Sequence, residues 1–271
     1  MNRINQRFES LRQQGRKALV SYVVMGDPAK DVTLPVMHAL VAGGTDIIEL
    51  GVPFSDPNAE GPVIQRAHER ALSNGSSLRD ALAHVKAFRE TDNVTPVLLM
   101  GYTNPIERMG YDSFIEQAVD SGVDAVLTVD LPPEEAEEFN QHLKQANMEN
   151  IFLLAPTSGP ARQKKVADMA GGFIYYVSLK GVTGAGNLDV DSVNENVTSI
   201  RSLTDLPVCV GFGIKDGASA RSVADLSDGV VVGSVLVNQI AALAEKGETD
   251  PAVYADAVSS IIAEIREALD R

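Results

Sequence analysis

Short β-branched, apolar runs alternate with segments of helical period from one end of the chain to the other. The runs are Leu19–Met25, Asp46–Val52, Val97–Tyr102, Ala125–Leu131, Ile151–Pro156, Phe173–Ser178, Val208–Ile214 and Gly229–Ser234. Each reads as a buried strand, and spacings of roughly 22 to 50 residues leave room for a crossover helix between neighbours. Eight such βα units predict a closed (β/α)8 barrel of the TIM type, one domain over residues 1–271. A doubly wound open sheet is the alternative, but the first run is followed by Met25-Gly26-Asp27-Pro28 rather than a dinucleotide fingerprint.

The segments between the runs carry helical stripes. Ile4, Phe8 and Leu11 mark an extra N-terminal helix placed to plug the bottom of a barrel. Ile64, Ala67, Ala71 and Leu72 mark a helix that stops at Asn74-Gly75, and Ser77 starts another through Leu82, Val85 and Phe88. Glu134, Glu135, Glu137 and Glu138 are expected in the first turns of a solvated helix, complementing its dipole. Val193, Val197, Ile200 and Leu203 share one helical stripe, as do Ile261, Ile262, Ile265 and Leu269 near the C-terminus.

Barrel chemistry belongs at the C-terminal ends of the strands, and those exits form a coherent set. The second strand runs into Glu49 and then a Pro/Gly/Asn loop that ends at Glu60. Strand alternation puts Ile48 and Leu50 on one face, with Ile47 and Glu49 on the other. If Ile48 and Leu50 face helices, Glu49 points into the barrel, where desolvation raises its pKa toward the range useful for proton transfer. The competing readings are a strand-end acid reaching water and, for Glu60, an acid at a helix N-terminus. Glycine-rich exits after strands six, seven and eight allow the N–H groups of Gly184, Gly213, Gly233 and Ser234 to converge on an oxyanion. A short helix starting at Ser234 would add its positive end, the usual barrel phosphate site. Each glycine taken singly also reads as an ordinary turn. Tyr22, Met100, Leu127, Val129, Leu153 and Tyr175 are candidates for an apolar pocket or for top-layer core, and Asp130 reads as the cap of the helix after Pro132-Pro133.

Composition narrows the partners. A net charge of −14 speaks against nucleic acid and anionic membranes, and a bound anion would have to be held by backbone amides against the general field. No apolar run approaches a membrane span, and the first residues lack a secretory h-region, so a cytoplasmic protein is expected. Cys209 is the only cysteine and lies in a strand-like run, which reads as a buried inert thiol. His38, His68, His84 and His142 show no metal-ligand spacing, so no metal site is expected.

The block ELGVPFSDPNAEGP (residues 49–62), GVTG (181–184), GFGI (211–214) and VVGS (231–234), in this order, resemble the tryptophan synthase α subunit family over essentially the whole chain. The resemblance implies a lyase that splits indole-3-glycerol phosphate into indole and glyceraldehyde 3-phosphate by a retro-aldol reaction, with no cofactor in this chain. Glu49 matches the family's general acid/base, and position 60 matches the acid that receives the indole N–H. Gly184, Gly213, Gly233 and Ser234 match the phosphate cradle, and Thr183 matches the loop residue that closes over the site. Tyr22, Met100, Leu127, Tyr175 and Phe212 fall on the indole pocket. The implied partner is a pyridoxal-phosphate β subunit in an α2β2 assembly, with Pro53–Pro57 and Asn104-Pro105 as docking surfaces. Two positions depart from the family pattern: Glu60 replaces the usual Asp, and Leu179 stands where some members have Arg. Another phosphosugar barrel, such as an isomerase or indole-3-glycerol phosphate synthase, is a competing function, although the only lysine at a strand exit is Lys180 on the sixth loop, which counts against the synthase; a partner-activating subunit with little catalysis is the other.

Overall fold

The computed structural model describes residues 2–177, 190–211 and 213–271. Its strands are β1 (Ala18–Val24), β2 (Ile47–Gly51), β3 (Val97–Gly101), β4 (Ala125–Thr128), β5 (Glu149–Asn150), β6 (Phe152–Leu154), β7 (Ile174–Val177), β8 (Val208–Gly211) and β9 (Gly229–Val232). All pair in parallel, in the order β5-β4-β3-β2-β1-β9-β8-β7-β6. The two end strands, β5 and β6, are halves of one strand interrupted at Ile151. The first half pairs with β4, the second with β7, and Ile151 N–H still donates to the Val126 carbonyl at 2.9 Å. This shared strand brings the two ends of the sheet together, giving the eight-stranded ring that the run count predicts.

Alternation sorts the side chains into two cores. Ile48, Leu50, Leu99, Val126, Tyr176, Val210 and their outward-facing neighbours pack under the surrounding helices. Ala18, Val20, Ile47, Leu98, Ala125, Leu127, Ile151 and Cys209 fill the ring. Ile48 and Leu50 therefore face helices, and their inward neighbours are Ile47 and Glu49. Cys209 is fully buried, and burial pushes its thiol pKa well up, as expected of an inert packing residue.

The bottom of the ring is closed and cross-linked. The helix Arg3–Gln14 buries Ile4, Phe8 and Leu11 against the inner core, with the Phe8 and Phe173 rings 5.7 Å apart. At strand entries Asp46, Asp124 and Asp228 accept backbone N–H groups of Leu19, Val97 and Val208. Arg266 reaches Asp46 at 3.1 Å and Arg89 reaches Asp124 at 2.8 Å, so these buried carboxylates are paired. The bottom face is spent on stability, and the top is left for chemistry.

Three local expectations need correction. The acidic helix begins at Glu137, so Glu134 and Glu135 lie in the turn before it; Glu134 instead faces Arg162 at 3.5 Å and Lys165 at 3.7 Å. Leu203 is 40% exposed beyond the helix Val190–Arg201, whose buried stripe ends at Ile200. Asp130 does cap a helix, but a neighbouring one. Its Oδ1 accepts from the N–H and hydroxyl of Thr103 (2.7 and 2.8 Å), the first residue of the helix Thr103–Met109.

Removing the plug should loosen the ring from below. Phe8→Ala is expected to lower unfolding free energy by about 3 kcal/mol, the usual range for truncating a buried aromatic, as read by urea denaturation. A loss under about 1 kcal/mol would show that the N-terminal helix only rests on the barrel.

Candidate active site

A cavity of about 370 Å³ opens at the C-terminal ends of the strands. Its floor and walls include Tyr22, Glu49, Met100, Tyr175 and Val231, and its rim includes Glu60, Gly213, Gly233 and Ser234. These five strands and three loops, distant in sequence, thus converge on one space, as the list of strand exits anticipates.

Glu49 is the buried acid of this cavity. It is 1% exposed, and neither carboxyl oxygen has a hydrogen-bond partner among the described residues. Burial, and then the nearby Glu60 charge, push its pKa up to about 8. A proton is therefore held at neutral pH by a group facing an apolar cavity, the state a general acid requires. The reading of Glu49 as an acid reaching water is excluded by its burial.

Glu60 sits in the turn before the helix Pro62–Ser73, whose N-cap Gly61 supplies no side-chain cap. Its loop is pinned from several sides. Glu60 N–H donates to the Pro57 carbonyl (3.0 Å), Gln65 Nε2 donates to the Glu60 carbonyl (2.8 Å), and Ala59 N–H donates to the Tyr102 hydroxyl (3.2 Å). The helix dipole favours the ionised form of Glu60, yet burial dominates and raises its pKa to about 7. Two acids of one pocket thus titrate near neutrality, with Glu60 the first to ionise.

Opposite the acids, the cradle for an anion is made of backbone. Gly213 has φ +57°, a conformation that a side chain would strain, and a Cβ there would meet nothing within 4 Å. The helix Ser234–Glu245 starts at the rim without a side-chain cap, leaving its leading N–H groups for a ligand. It starts where the sequence places it and runs twelve residues. Gly51 and Gly211 serve a different purpose. A Cβ on Gly51 would collide with the Tyr22 phenol, and one on Gly211 with the Tyr175 ring, so these glycines make room for the pocket's aromatics.

Of the expected pocket residues, Tyr22, Met100 and Tyr175 line the cavity. Leu127 does not: it is 1% exposed and packs in the inner core below. Val129 and Leu153 likewise pack against that core. Thr183, Gly184 and Phe212 lie outside the described residues. The sequence reading missed Val63, Ile64, Val177 and Ile214 on the cavity wall. It also missed His68, which interrupts the apolar stripe Ile64, Ala67, Ala71 and is 2% exposed; that interruption was the available signal. No group of three His, Cys, Asp or Glu among the described residues could hold a metal ion. No described helix is long and apolar enough to cross a membrane.

Comparison with known proteins points to one family. The family described as tryptophan synthase alpha chain matches residues 8–264. The chain is 58% identical over 270 residues to the tryptophan synthase alpha chain of Thioalkalivibrio sulfidiphilus, covering all of both chains. Identity to that of Nitrosococcus oceani is 56%, over 100% of this chain and 98% of the relative. The crystal structure of tryptophan synthase subunit alpha from Legionella pneumophila superposes with a TM-score of 0.92 at 42% identity, over 100% and 99% of the two chains. An aminoacrylate-bound tryptophan synthase from M. tuberculosis gives a TM-score of 0.87 at 33% identity, over 99% and 100%.

The burial of Glu49 has a consequence for stability. Its carboxyl titrates near 4.5 when free and near 8 in the fold, so the folded chain binds the proton more tightly. Its contribution is most favourable below about pH 4.5 and is lost as pH climbs to about 8, at roughly 1.4 kcal/mol per pH unit. Glu49→Gln should therefore gain stability over the parent as urea melts are moved from pH 6 to pH 9. A difference that stays constant with pH would contradict the burial argument.

Proposed function

The chain belongs to the tryptophan synthase alpha chain family, and we propose that Glu49 and Glu60 carry that family's reaction in it. The reaction cleaves indole-3-glycerol phosphate into indole and glyceraldehyde 3-phosphate, and the alpha chain works with a β subunit. The observation that carries the assignment of roles is Glu49 itself, a buried carboxyl without a partner, held neutral at the floor of the cavity.

Indole is a poor carbanion leaving group until C3 bears a proton. Glu49 gives its proton to C3, and the ring becomes a positively charged indolenine. Glu60, ionised, accepts the N–H of that ring and offsets its charge. The Glu49 carboxylate, now a base, takes the proton of the glycerol hydroxyl beside the reacting carbon. The C–C bond breaks, its electron pair restores the indole ring, and the oxygen becomes the aldehyde. One proton enters and one returns, so Glu49 ends as it began.

The phosphate of the substrate is assigned to Gly213, Gly233 and Ser234, with Gly184 completing the cradle. Uncharged N–H donors and a helix N-terminus suit a site where the overall charge of −14 opposes an anion. The indole ring is assigned to Tyr22, Met100 and Tyr175, with Phe212 and the loop residue Thr183 beside it. Leu127 supports this pocket from beneath.

No cofactor is needed for this sequence of proton transfers, and pyridoxal phosphate belongs to the β partner. Pro53–Pro57 and Asn104-Pro105 are the proposed docking surfaces of an α2β2 assembly. Supporting this, the Phe54 and Tyr102 rings stack at 4.8 Å, which sets the two segments side by side, with Ser55, Asp56 and Asn104 exposed. A cytoplasmic biosynthetic enzyme is the matching location.

Indole release from indole-3-glycerol phosphate, with and without the β subunit, tests this reading. Turnover should rise on adding the β subunit, kcat/KM should fall above about pH 8 as Glu49 loses its proton, and Glu49→Gln should abolish turnover while still binding the β subunit. Retained turnover in Glu49→Gln would remove the assignment. Glu60→Asp should lower kcat by about tenfold to a hundredfold if the loop is adapted to the longer acid, since a displacement near 1 Å costs that much. A large gain in kcat would mean it is not adapted.

A further inference from the structure

His68 lies outside the cavity wall, buried in the helix Pro62–Ser73, and both its ring nitrogens are engaged. Phe54 N–H donates to Nδ1 at 3.0 Å. A backbone N–H can only donate, so Nδ1 must be the unprotonated nitrogen. Burial lowers the imidazole pKa to about 4, so the ring is neutral and its single proton sits on Nε2. Nε2 is 3.3 Å from the Tyr22 hydroxyl. The tautomer settles the direction of that contact: His68 donates and Tyr22 Oη accepts. The tyrosine's own proton is then free for another acceptor.

Tyr22 is placed to use it. In the β1–β2 register Tyr22 stands opposite Glu49, and both line the cavity. Its phenol passes over the bare Cα of Gly51, and its Cβ lies against Gly233, so neighbouring backbone confines the ring to one orientation. The charged and titratable groups that act on its hydroxyl are Glu60, Glu49, Tyr102 and Tyr175, with Glu60 the strongest after burial itself. Glu60 and Glu49 are the two acids among these groups.

We propose that His68 is a positioning residue for the cleavage reaction: by donating from Nε2 it fixes the Tyr22 hydroxyl as a donor toward the Glu49–Glu60 pair. The proposal rests on the lyase reading above. A fixed O–H donor favours the ionised form of the acid it meets, which is the form Glu60 needs when the indole ring becomes positive. Because His68 takes its tautomer from Phe54 N–H, the chain of donors begins in the loop that follows β2 and ends at the acids.

The test is a double-mutant cycle on indole release by the full chain assembled with its β subunit. Tyr22→Phe removes the hydroxyl. His68→Asn keeps an acceptor near the Nδ1 position and loses Nε2, whereas His68→Gln can return an N–H to the Nε2 position. Tyr22→Phe and His68→Asn should each lower kcat by about tenfold, the effect of one hydrogen bond felt in the transition state, with KM within about twofold. His68→Gln should recover kcat to within about threefold of the parent, and Tyr22→Phe/His68→Asn should be no slower than Tyr22→Phe alone. Additive losses of about a hundredfold in the double variant, or no effect of Tyr22→Phe, would overturn the proposal. Should His68→Asn fail to fold, Tyr22→Phe with and without His68→Gln still decides it: His68→Gln must be without effect once the hydroxyl is gone. A parent complex that releases no indole would sink the lyase reading itself, which separates the two failures.

Discussion

The cost of burying a carboxyl group with nothing to hydrogen-bond it is the constraint around which this barrel's top is arranged. Glu49 has no partner among the described residues, and a charge there would be desolvated on every side. The least costly answer is to keep the proton, and a proton kept near neutrality is available to a substrate. Everything needed to sustain that state comes from the fold. Strand alternation turns the side chain inward, its surroundings leave it 1% exposed, and Glu60 adds like charge to delay its ionisation. The bottom of the ring shows the contrast, since Asp46 and Asp124 are also buried but are each met by an arginine and a backbone N–H. The bottom acids are paired, and the acid at the top is left without a partner among the described residues.

Glycine does two separate jobs around this acid. At Gly213 and at the start of the helix Ser234–Glu245 the backbone is open toward the cavity, and among the described residues no lysine or arginine lines that space. At Gly51 and Gly211 the missing Cβ is filled from within, by Tyr22 and Tyr175. The first kind leaves backbone open toward the cavity, the second shapes an aromatic slot.

Much of this was legible before any coordinates. Period-2 alternation in Ile47–Leu50 placed Glu49, and regular spacing of eight apolar runs gave the ring, because both rest on patterns local to a few residues. What escaped was set by contacts between distant segments. Asp130 caps a helix 27 residues earlier because strand exits lie side by side in the ring, a proximity that no single stretch records. Leu127 has the right exit and the right face but sits one layer too deep, a matter of barrel stagger rather than of sequence. Gly211 stands at a glycine-rich strand exit, and only the Tyr175 ring beside it explains why no side chain fits there. His68 shows no metal-ligand spacing in the sequence, and its tautomer is fixed by a backbone N–H fourteen residues away.

The most direct measurement is the protonation state of Glu49. An infrared difference spectrum between the parent chain and Glu49→Gln, followed through a pH titration, isolates the C=O band of that one carboxylic acid. The band should be present at pH 7 and disappear with a midpoint near 8. A midpoint close to 4.5, the value of a solvated glutamate, would show that the side chain is not desolvated and that the barrel holds no neutral acid there.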